Sequence, residues 1–262
     1  MKQEEKTNAN IKDAGNENQE GKTVAEIKNL KIAFGKNKVL KGVNLVINKG
    51  ENLVVLGSSG SGKSVFIKCI VKLLEADEGS ILVFGKDIAA MEETELNEVR
   101  KKIGFLFQSS ALYDSMTVRE NLEFPLKRQS PVPEEKEREA LVKEALKNVG
   151  LEKAIDLMPS ELSGGMKKRI GLARSLILKP DLILYDEPTT GLDPITAREI
   201  IQLILDVQEK YKAASIIITH DIECARMTGN RIIMLKEGVF AQEGTFAQLK
   251  KSEDKWIHSF FE

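Results

Sequence analysis

A short apolar run that opens into a loop rich in glycine and serine constrains the fold of this chain more than any other feature. The run Asn52–Leu56 is almost wholly apolar, which predicts a strand buried on both faces of a sheet. The loop Gly57–Ser64 follows it directly, and Val65–Leu74 then carries the apolar spacing of a buried helix. The chain must therefore fit a tight polar loop between a buried strand and a buried helix.

The loop sequence GSSGSGKS satisfies the phosphate-loop pattern G-x-x-x-x-G-K-[ST] in the order of strand, loop and helix that the pattern requires. Glycines let the backbone wrap closely around a phosphate chain, and the start of the helix adds the positive end of its dipole. We expect Lys63 to reach the β- and γ-phosphates of a nucleotide and the Ser64 hydroxyl to bind Mg²⁺. The alternative is a flexible loop without a ligand. The residues expected to contact the nucleotide are Gly57, Ser58, Ser59, Gly60, Ser61, Gly62, Lys63 and Ser64.

Acidic and imidazole side chains follow two further predicted strands. Asp186 and Glu187 come directly after the apolar run Leu182–Tyr185, at a strand end where open α/β sheets bind ligands. Asp186 is the expected acid on the Mg²⁺ side, and Glu187 the candidate base that polarises the attacking water. His220 follows the run Ser215–Thr219 and is expected at the same edge, although a lone histidine there is usually structural.

The segment Leu162-Ser163-Gly164-Gly165-Met166 predicts a second phosphate contact. Ser163 is a good N-cap residue and the glycines expose backbone N–H groups. Positive charge in the first turns of the helix comes from Lys167, Lys168 and Arg169. The alternative is an ordinary capped helix.

The other periodic segments indicate a mixed sheet flanked by helices. An early part, Ala25–Ile47, is rich in strands, and the stretch from about Ser110 to Leu176 is dominated by helical patterns. Later strands and helices alternate in the βαβ rhythm of a parallel sheet, and the unit is not repeated. The remaining predicted strands are Ile81–Phe84, Ile103–Phe107 and Arg231–Leu235, and the predicted helices are Thr117–Leu126, Glu134–Val149, Ser163–Leu176, Pro194–Tyr211 and Ile222–Met227.

Composition excludes several classes of function. The 39 Lys and Arg residues nearly balance the 40 Asp and Glu residues, so the chain is not a dedicated nucleic-acid binder and a polyanion must be held locally. No apolar stretch approaches the roughly 18 residues of a membrane-spanning helix. Residues 1–22 are polar and lack the hydrophobic region of a signal peptide, which predicts a disordered cytoplasmic tail. Cys69 and Cys224 lie far apart in apolar segments, which predicts buried, reduced thiols.

The order of these motifs resembles an ABC-type ATPase over about residues 24–245. Besides the phosphate loop and the segment 162–166, the resemblance includes Gln108 after a strand, LILYDEP at 182–188, Gly191-Leu192-Asp193 and Thr219-His220-Asp221. It implies an α/β fold of the P-loop NTPase class, with a mixed or parallel sheet core, an antiparallel β lobe and an inserted helical lobe at about 110–176. The expected division is a tail over 1–22, an ATPase domain over 23–246 and a C-terminal segment over 247–262.

The resemblance also implies ATP and Mg²⁺ as ligands and a head-to-tail homodimer. Each ATP would lie between the phosphate loop of one subunit and Ser163, Gly164 and Gly165 of the other, with Asp193 at the subunit interface. Phe34 would stack on adenine, unless it is a core strand residue. Gln108 would contact Mg²⁺ and the attacking water, and His220 the γ-phosphate. Lys63, Gln108, Glu187 and His220 are thus the expected catalytic residues, and Ser64, Gln108 and Asp186 the expected metal ligands.

Two positions differ from the family's usual pattern. Met166 stands where the family usually has Gln, which removes a side-chain amide from the expected subunit interface. Ser64 replaces a frequent Thr and keeps the metal-binding hydroxyl.

A narrower resemblance is to the ATPase subunits of MCE-type (Mla-like) phospholipid transporters. It is carried by the segments 106–118, 158–166 and 193–196. It implies an inner-membrane permease, an MCE-domain protein outside the membrane and, as a further candidate, a small cytoplasmic regulatory subunit. The ATPase would then be cytoplasmic and peripheral on the inner membrane, which it would meet only through the permease.

Two surfaces are candidates for these partners. The segment Ser110–Tyr113 directly follows Gln108 and could receive a permease helix, the alternative being internal packing. The apolar segment Trp256–Phe261 could help two subunits dimerise, the alternative being a terminal helix that packs on its own subunit.

Three other functions remain open at this point. A soluble ABC ATPase of DNA maintenance or translation usually carries a long coiled-coil insertion or two cassettes, and this chain has neither. A non-transport assembly ATPase would copurify with soluble scaffold proteins. An ABC subunit for another substrate would have identical ATP chemistry.

Overall fold

The computed structural model of the protein describes residues 23–261, which form two sheets and a helical lobe. The tail predicted over residues 1–22 lies outside the described residues, as does Glu262. The strands are β1 Thr23–Phe34, β2 Asn37–Asn48, β3 Asn52–Leu56, β4 Glu78–Val83, β5 Lys86–Asp87, β6 Ile103–Leu106, β7 Leu182–Asp186, β8 Ala214–Thr219, β9 Arg231–Lys236 and β10 Val239–Gly244. The α-helices are α1 Lys63–Ile70, α2 Glu93–Lys101, α3 Val118–Lys127, α4 Glu135–Asn148, α5 Gly164–Leu176, α6 Pro194–Tyr211, α7 Ile222–Thr228, α8 Phe246–Leu249 and α9 Lys255–His258. Short 3₁₀ turns lie at Ile88–Ala90, Glu152–Ala154 and Pro159–Glu161.

The first sheet is antiparallel and has the order β2-β1-β4-β5. Its long strands β1 and β2 alternate between buried and less buried positions, which is the pattern of a sheet with one face on a core. This sheet is the predicted antiparallel β lobe, and the prediction is confirmed.

The second sheet has the order β10-β9-β3-β8-β7-β6 and is parallel except for the pair of β10 with β9. The predicted mixed sheet is therefore confirmed. Strand β3 lies in its interior, with β8 on one side and β9 on the other. Because β3, β8, β7 and β6 run parallel, the loops after all four leave the sheet at one edge.

Side chains of β3 enter two different cores, as the apolar run predicts. Leu53 and Val55 belong to the core shared with the first sheet and α1, whereas Val54 and Leu56 belong to the core shared with α6 and α7. All four are fully buried. A strand buried on both faces gives the loop that follows it a rigid base.

The helical lobe has a separate apolar cluster of its own, formed mainly by α3, α4 and α5. A side-chain capping box at Thr117 and Glu120 begins α3, and Ser163 caps α5. Helix α6 has the predicted bounds, while α1 ends at Ile70, four residues before the predicted Leu74, and Lys72 then adopts a left-handed backbone with φ of 51°.

Both cysteines are buried and unpaired, as predicted. Burial raises the pKa of the Cys69 thiol to about 11 and that of the Cys224 thiol to about 12, with nearby carboxylates adding to the shift in each case. Neither thiol is ionised near neutral pH.

The C-terminal segment packs on the core of its own chain. Ile257 is buried, and Trp256, Phe260 and Phe261 are partly buried against the cluster that contains β3 and α6. The expected boundary between residues 246 and 247 falls inside α8. No helix within residues 23–261 has the length and apolar character needed to cross a membrane.

Candidate active site

The loop 57–62 leaves the first turn of α1 available to a ligand. Helix α1 begins at Lys63, and its N-cap Gly62 has a left-handed φ of 106° and provides no side-chain hydrogen bond. In contrast, α3, α5, α6 and α7 all begin with a side chain that accepts a hydrogen bond from the first turn. Helices α2 and α4 lack such a cap but have acidic residues in their first turn, whereas α1 has none. The unpaired N–H groups and the helix dipole at the start of α1 therefore favour an anion.

Close packing explains two of the loop glycines. A Cβ atom on Gly57 would lie 2.5 Å from the carbonyl oxygen of Leu235, and one on Gly62 would lie 3.1 to 3.2 Å from Val39 and Leu40 of β2. At Gly60, by contrast, a Cβ atom would meet nothing within 4 Å, so the middle of the loop is open. The loop is thus clamped at both ends and accessible between them.

Ser61 has a buried hydroxyl with no hydrogen-bond partner within residues 23–261. Leaving a buried hydroxyl unpaired costs about 1–3 kcal/mol. A phosphate oxygen bound in the loop would be a suitable partner, which agrees with the predicted ligand. Ser58 and Ser59 on the other side of the open segment are exposed.

Lys63 is buried and points into the site. Its ammonium donates hydrogen bonds to the carbonyl oxygens of Gly57, at 2.8 Å, and Ser58, at 3.1 Å, and lies 3.2 Å from Oε1 of Glu187. The side chain is 5% exposed. The loop therefore holds the positive charge in a fixed place beside the open backbone N–H groups.

Ser64 and Asp186 place two oxygen atoms of the kind that bind metal ions beside the loop. The Ser64 hydroxyl donates a hydrogen bond of 2.8 Å to Oδ1 of Asp186. Burial raises the pKa of the Asp186 carboxyl, and the hydrogen bond from Ser64 opposes that rise. A cation beside this carboxyl would stabilise its ionised form.

This donor pair fits Mg²⁺ that arrives with a nucleotide. Mg²⁺ prefers hard oxygen ligands and is usually held by one or two protein groups together with substrate phosphates. Within residues 23–261, no group of three or more His, Cys, Asp or Glu side chains is placed to hold a metal ion without such a ligand. The chemistry of the site thus agrees with a metal that the phosphates help to bind.

Glu187 has a buried carboxylate with three polar neighbours. His220 Nδ1 lies 2.8 Å from its Oε2, and the Thr190 hydroxyl donates to the same oxygen at 3.1 Å, while Lys63 faces its other oxygen. The residue follows β7 with a left-handed φ of 49°, and the side chain of His220 is 53% exposed. Such a carboxylate can accept a proton from water beside the phosphate loop.

Gln108 lies two residues after β6 with an exposed side chain. Its backbone carbonyl accepts a 2.5 Å hydrogen bond from the ammonium of Lys168, which also donates to the carbonyl of Glu187 at 3.1 Å. Burial lowers the pKa of Lys168 to about 8, against the opposing effect of the carboxylates of Asp186 and Glu187. Lys168 therefore joins the loops that contain the two candidate residues.

Ser163, Gly164 and Gly165 form a second group, at the start of α5. Ser163 Oγ accepts a hydrogen bond from the N–H of Met166, as an N-cap does. A Cβ atom on Gly165 would lie 2.5 Å from Thr196, which itself donates to Asp193. Ser163 and Gly164 are exposed, and within the described part of the chain the contacts of this group lead to the start of α6 and not to the phosphate loop.

Asp193 and Phe34 are both exposed. The carboxylate of Asp193 caps α6 through the N–H groups of Ile195 and Thr196, and hydrogen bonds from Thr196 keep its pKa below the usual range. Phe34 is 51% exposed at the last position of β1, in the hairpin whose other strand, β2, packs against Gly62. Phe34 is therefore not a core residue of the kind that the alternative interpretation required.

A groove of about 750 Å³ lies between β6 and the helical lobe. Its aromatic and basic lining includes Tyr113, Phe124, Arg128 and Arg174, and Tyr113 is 43% exposed. The predicted patch 110–113 is narrower than expected, since Ser110 is buried and Leu112 packs on the core of the lobe.

Comparison with known proteins decides the family. The family model described as ABC transporter matches residues 40–190, which is more than half of the chain. The chain belongs to the ABC transporter family. It is an ATPase of that family, with the fold of an ATP-binding cassette.

Three known proteins illustrate the likeness. The chain is 39% identical over 235 residues to the intermembrane phospholipid transport system ATP-binding protein MlaF of Haemophilus influenzae, covering 90% of this chain and 89% of that one. It is 40% identical to the probable ribonucleotide transport ATP-binding protein mkl of Mycobacterium leprae, covering 90% of this chain and 67% of that one. The dimeric ATP-binding cassette MJ0796, bound to ADP and Pi, has 36% identity and a TM-score of 0.77, covering 85% of this chain and 98% of that one.

From the sequence, Lys168 is only one of three positive charges predicted at the start of a helix. The structure places it among the candidate residues instead, 4% exposed and bonded to two loops. Its position in α5 offered a weak signal, because a helix packed between a sheet and other helices must bury one face, and a lysine on that face needs partners.

Proposed function

We propose that this ABC ATPase drives a transporter that moves phospholipids between membranes. The similarity to MlaF supports this substrate, because the alignment covers nearly the whole of both chains at 39% identity. The likeness to the ribonucleotide transport protein is as strong in identity but takes in 67% of that chain. A subunit for another substrate is therefore the competing proposal, with the same ATP chemistry.

The observation that carries the enzymatic part is the convergence of Lys63, Asp186, Glu187 and His220 beside the start of α1. Lys63 and Glu187 are 3.2 Å apart, and His220 is 2.8 Å from the other oxygen of Glu187. A cation, a buried carboxylate and an imidazole at one helix start form a site for phosphoryl transfer to water.

Each of these residues has a proposed role. Lys63 and the backbone N–H groups of 58–64 bind the β- and γ-phosphates, and the Ser61 hydroxyl gains an acceptor there. Glu187 accepts the proton of the attacking water, and His220 holds Glu187 in place and contacts the γ-phosphate. Phe34 stacks on the adenine at the edge of the first sheet.

Ser64 and Asp186 are the proposed Mg²⁺ ligands, with the side chain of Gln108 as a third. When bound, Mg²⁺ neutralises charge that develops on the phosphates. Asp186 suits this position because burial makes its own negative charge costly without a cation.

A second copy of the chain completes the site in this proposal. Ser163, Gly164 and Gly165 present an exposed helix start that can meet the γ-phosphate bound by the partner subunit. Asp193 fixes the neighbouring start of α6, and the exposed Ile195 follows it. The MJ0796 cassette, a dimer with ADP and Pi, supports this assembly for a related chain.

The other proposed partners are a permease and, in a phospholipid system, an MCE-domain protein and a small regulatory subunit. The permease would contact the groove between β6 and the helical lobe, where Tyr113 and Phe124 offer aromatic surface. The proposed location is cytoplasmic, peripheral on the inner membrane through the permease. The C-terminal segment remains a proposed dimer contact, through the faces that its packing leaves exposed.

The test is to tag the protein in its native host, purify it from gently solubilised membranes with ATP, and identify copurifying proteins and lipids by mass spectrometry. A permease with an MCE-domain protein and bound phospholipid is the expected result. A permease with a different binding protein would overturn the phospholipid substrate, and soluble partners alone would overturn transport.

A further inference from the structure

Lys168 connects the backbones of two separate loops at the carboxyl edge of the second sheet. One loop follows β6 and contains Gln108, and the other follows β7 and contains Glu187. The Lys168 ammonium donates hydrogen bonds to the backbone carbonyls of both residues, at 2.5 Å and 3.1 Å. The lysine itself belongs to α5, the helix that Ser163 begins.

Simple packing does not require an ammonium at this position. The side chain is 4% exposed, and removing an ammonium group from water is costly unless its donors are satisfied. An apolar side chain of the same length would fill the space without that cost. What the ammonium provides is a directional connection to two carbonyl oxygens at once.

The two connected loops have unusual backbones that need support. Glu187 has a left-handed φ of 49°, and Ser110 and Ala111, just after Gln108, have left-handed φ values of 63° and 46°. Such conformations are unfavourable for residues other than glycine unless neighbours hold them. Arg174 of α5 donates to the carbonyls of Ser110 and Ala111 at 3.1 and 2.9 Å, so α5 holds both ends of the loop 108–111.

We propose that Lys168 is a positioning residue for hydrolysis, which fixes the backbone of Gln108 relative to that of Glu187 and makes this spacing depend on the position of α5. The proposal rests on the roles proposed above for Gln108 and Glu187. It gives the helical lobe a direct mechanical connection to the water-activating carboxylate. A displacement of α5 changes the spacing of the two side chains without altering the phosphate loop.

The first test separates catalysis from binding in the full-length protein. Lys168→Met keeps an unbranched side chain one atom shorter and removes its donors, so kcat should fall about tenfold or more, because small errors in the position of a catalytic group cost one to two orders of magnitude. The Kd for ATP should stay within about twofold, because the phosphate loop is untouched. Lys168→Arg, which keeps a donor, should recover part of the loss.

The matched control is Lys147→Met, at an exposed position near the end of α4 in the same lobe. It should leave kcat, the Kd for ATP and the thermal unfolding midpoint unchanged. A Lys168→Met protein that loses ATP affinity and kcat by the same factor, or that keeps full kcat, would overturn the positioning role. If Lys168→Met does not fold, Lys168→Leu, which also removes every donor, is judged by the same criteria.

A double-mutant cycle tests whether Lys168 acts through Gln108. In a Gln108→Ala background, Lys168→Met should reduce kcat by a smaller factor than in the native background, because the side chain it helps to position is already missing. Equal factors in the two backgrounds would contradict the proposal. Glu187→Gln separates failure of this proposal from failure of the proposed function. Full hydrolysis by that variant would refute the proposed function itself, whatever Lys168→Met does.

Discussion

The starts of helices α1 and α5 differ in how much of a phosphate site one chain builds around them. At α1, buried side chains from two parts of the chain converge, the half-exposed His220 joins them from a third, and the helix has no side-chain cap. At α5, Ser163 caps the helix, Gly164 is exposed, and among the described residues the two glycines have Leu192 and Thr196, at and just before the start of α6, as neighbours. In the proposed function, a nucleotide satisfies the donors of the first site, and a second copy of the chain brings the second site to that nucleotide.

This difference predicts that substitutions at α1 impair steps that one chain performs, whereas substitutions at α5 impair only the step that requires two. Both groups of variants should fold, since the two apolar cores on either side of β3 do not depend on either helix start. Stability, ATP binding and hydrolysis therefore have to be measured separately for each variant.

Glu187→Gln should have the largest effect. The change preserves the shape of the side chain but removes its ability to accept a proton, so ATP turnover should fall by about 10² to 10⁴. Turnover in a steady-state ATPase assay is the measurement, and size-exclusion chromatography with ATP should reveal a trapped dimer. Glu223→Gln, at an exposed ion pair on α7, is the control and should leave turnover unchanged.

Lys63→Ala should act one step earlier, on nucleotide binding. It removes the charge closest to the expected phosphates, and a hydrogen bond to a charged group contributes about 1.5–3 kcal/mol. ATP affinity in a filter-binding assay should therefore fall about 10- to 100-fold. Lys86→Ala, at an exposed position in β5, should bind ATP normally. Undiminished affinity of the Lys63 variant would contradict the assignment of the site at α1.

Ser163→Ala compares the two helix starts directly. Losing an N-cap costs about 1 kcal/mol, and Thr117→Ala should cost the same at α3, so the two variants should unfold at similar temperatures. ATP turnover should fall about tenfold for Ser163→Ala alone, because only that hydroxyl is expected to meet a phosphate. Equal turnover of the two variants would reduce Ser163 to an ordinary cap.

Met166→Gln should have the smallest effect. Met166 is partly buried against the apolar cluster of the helical lobe, and its backbone N–H bonds to Ser163 whatever its side chain. We expect turnover within about twofold of the native value, which corresponds to about 0.5 kcal/mol. A tenfold gain in the ATPase assay would show that the missing amide limits the native protein.

Most of the site at α1 could be predicted from local sequence patterns, whereas few of the other contacts around it could. The phosphate loop and the carboxylates after β7 could be predicted because each follows a buried strand, and parallel strands deliver their loops to one edge of the sheet. The contacts of Lys168 and Arg174 could not be predicted, because both join residues about 60 positions apart. Helical lysines usually face solvent, so the sequence alone does not predict the burial of Lys168.

The packing of Leu112 could not be predicted from the sequence either. Its position after Gln108 suggested a surface residue for a permease helix, yet it packs on the apolar cluster of α3, α4 and α5. An apolar residue in a loop gives no sign of which of two nearby cores it joins. Tyr113, exposed beside Phe124, is the better residue to substitute when that surface is tested.

The burial of Cys69 and Cys224 gives the protein a practical property. Because both thiols are inaccessible and protonated near neutral pH, a maleimide dye should leave them unmodified in the folded chain. A single cysteine introduced at Ile195, which is 74% exposed at the start of α6, can then be labelled without first removing the native ones. Energy transfer between two such labels would follow the approach and separation of subunits during each ATP cycle.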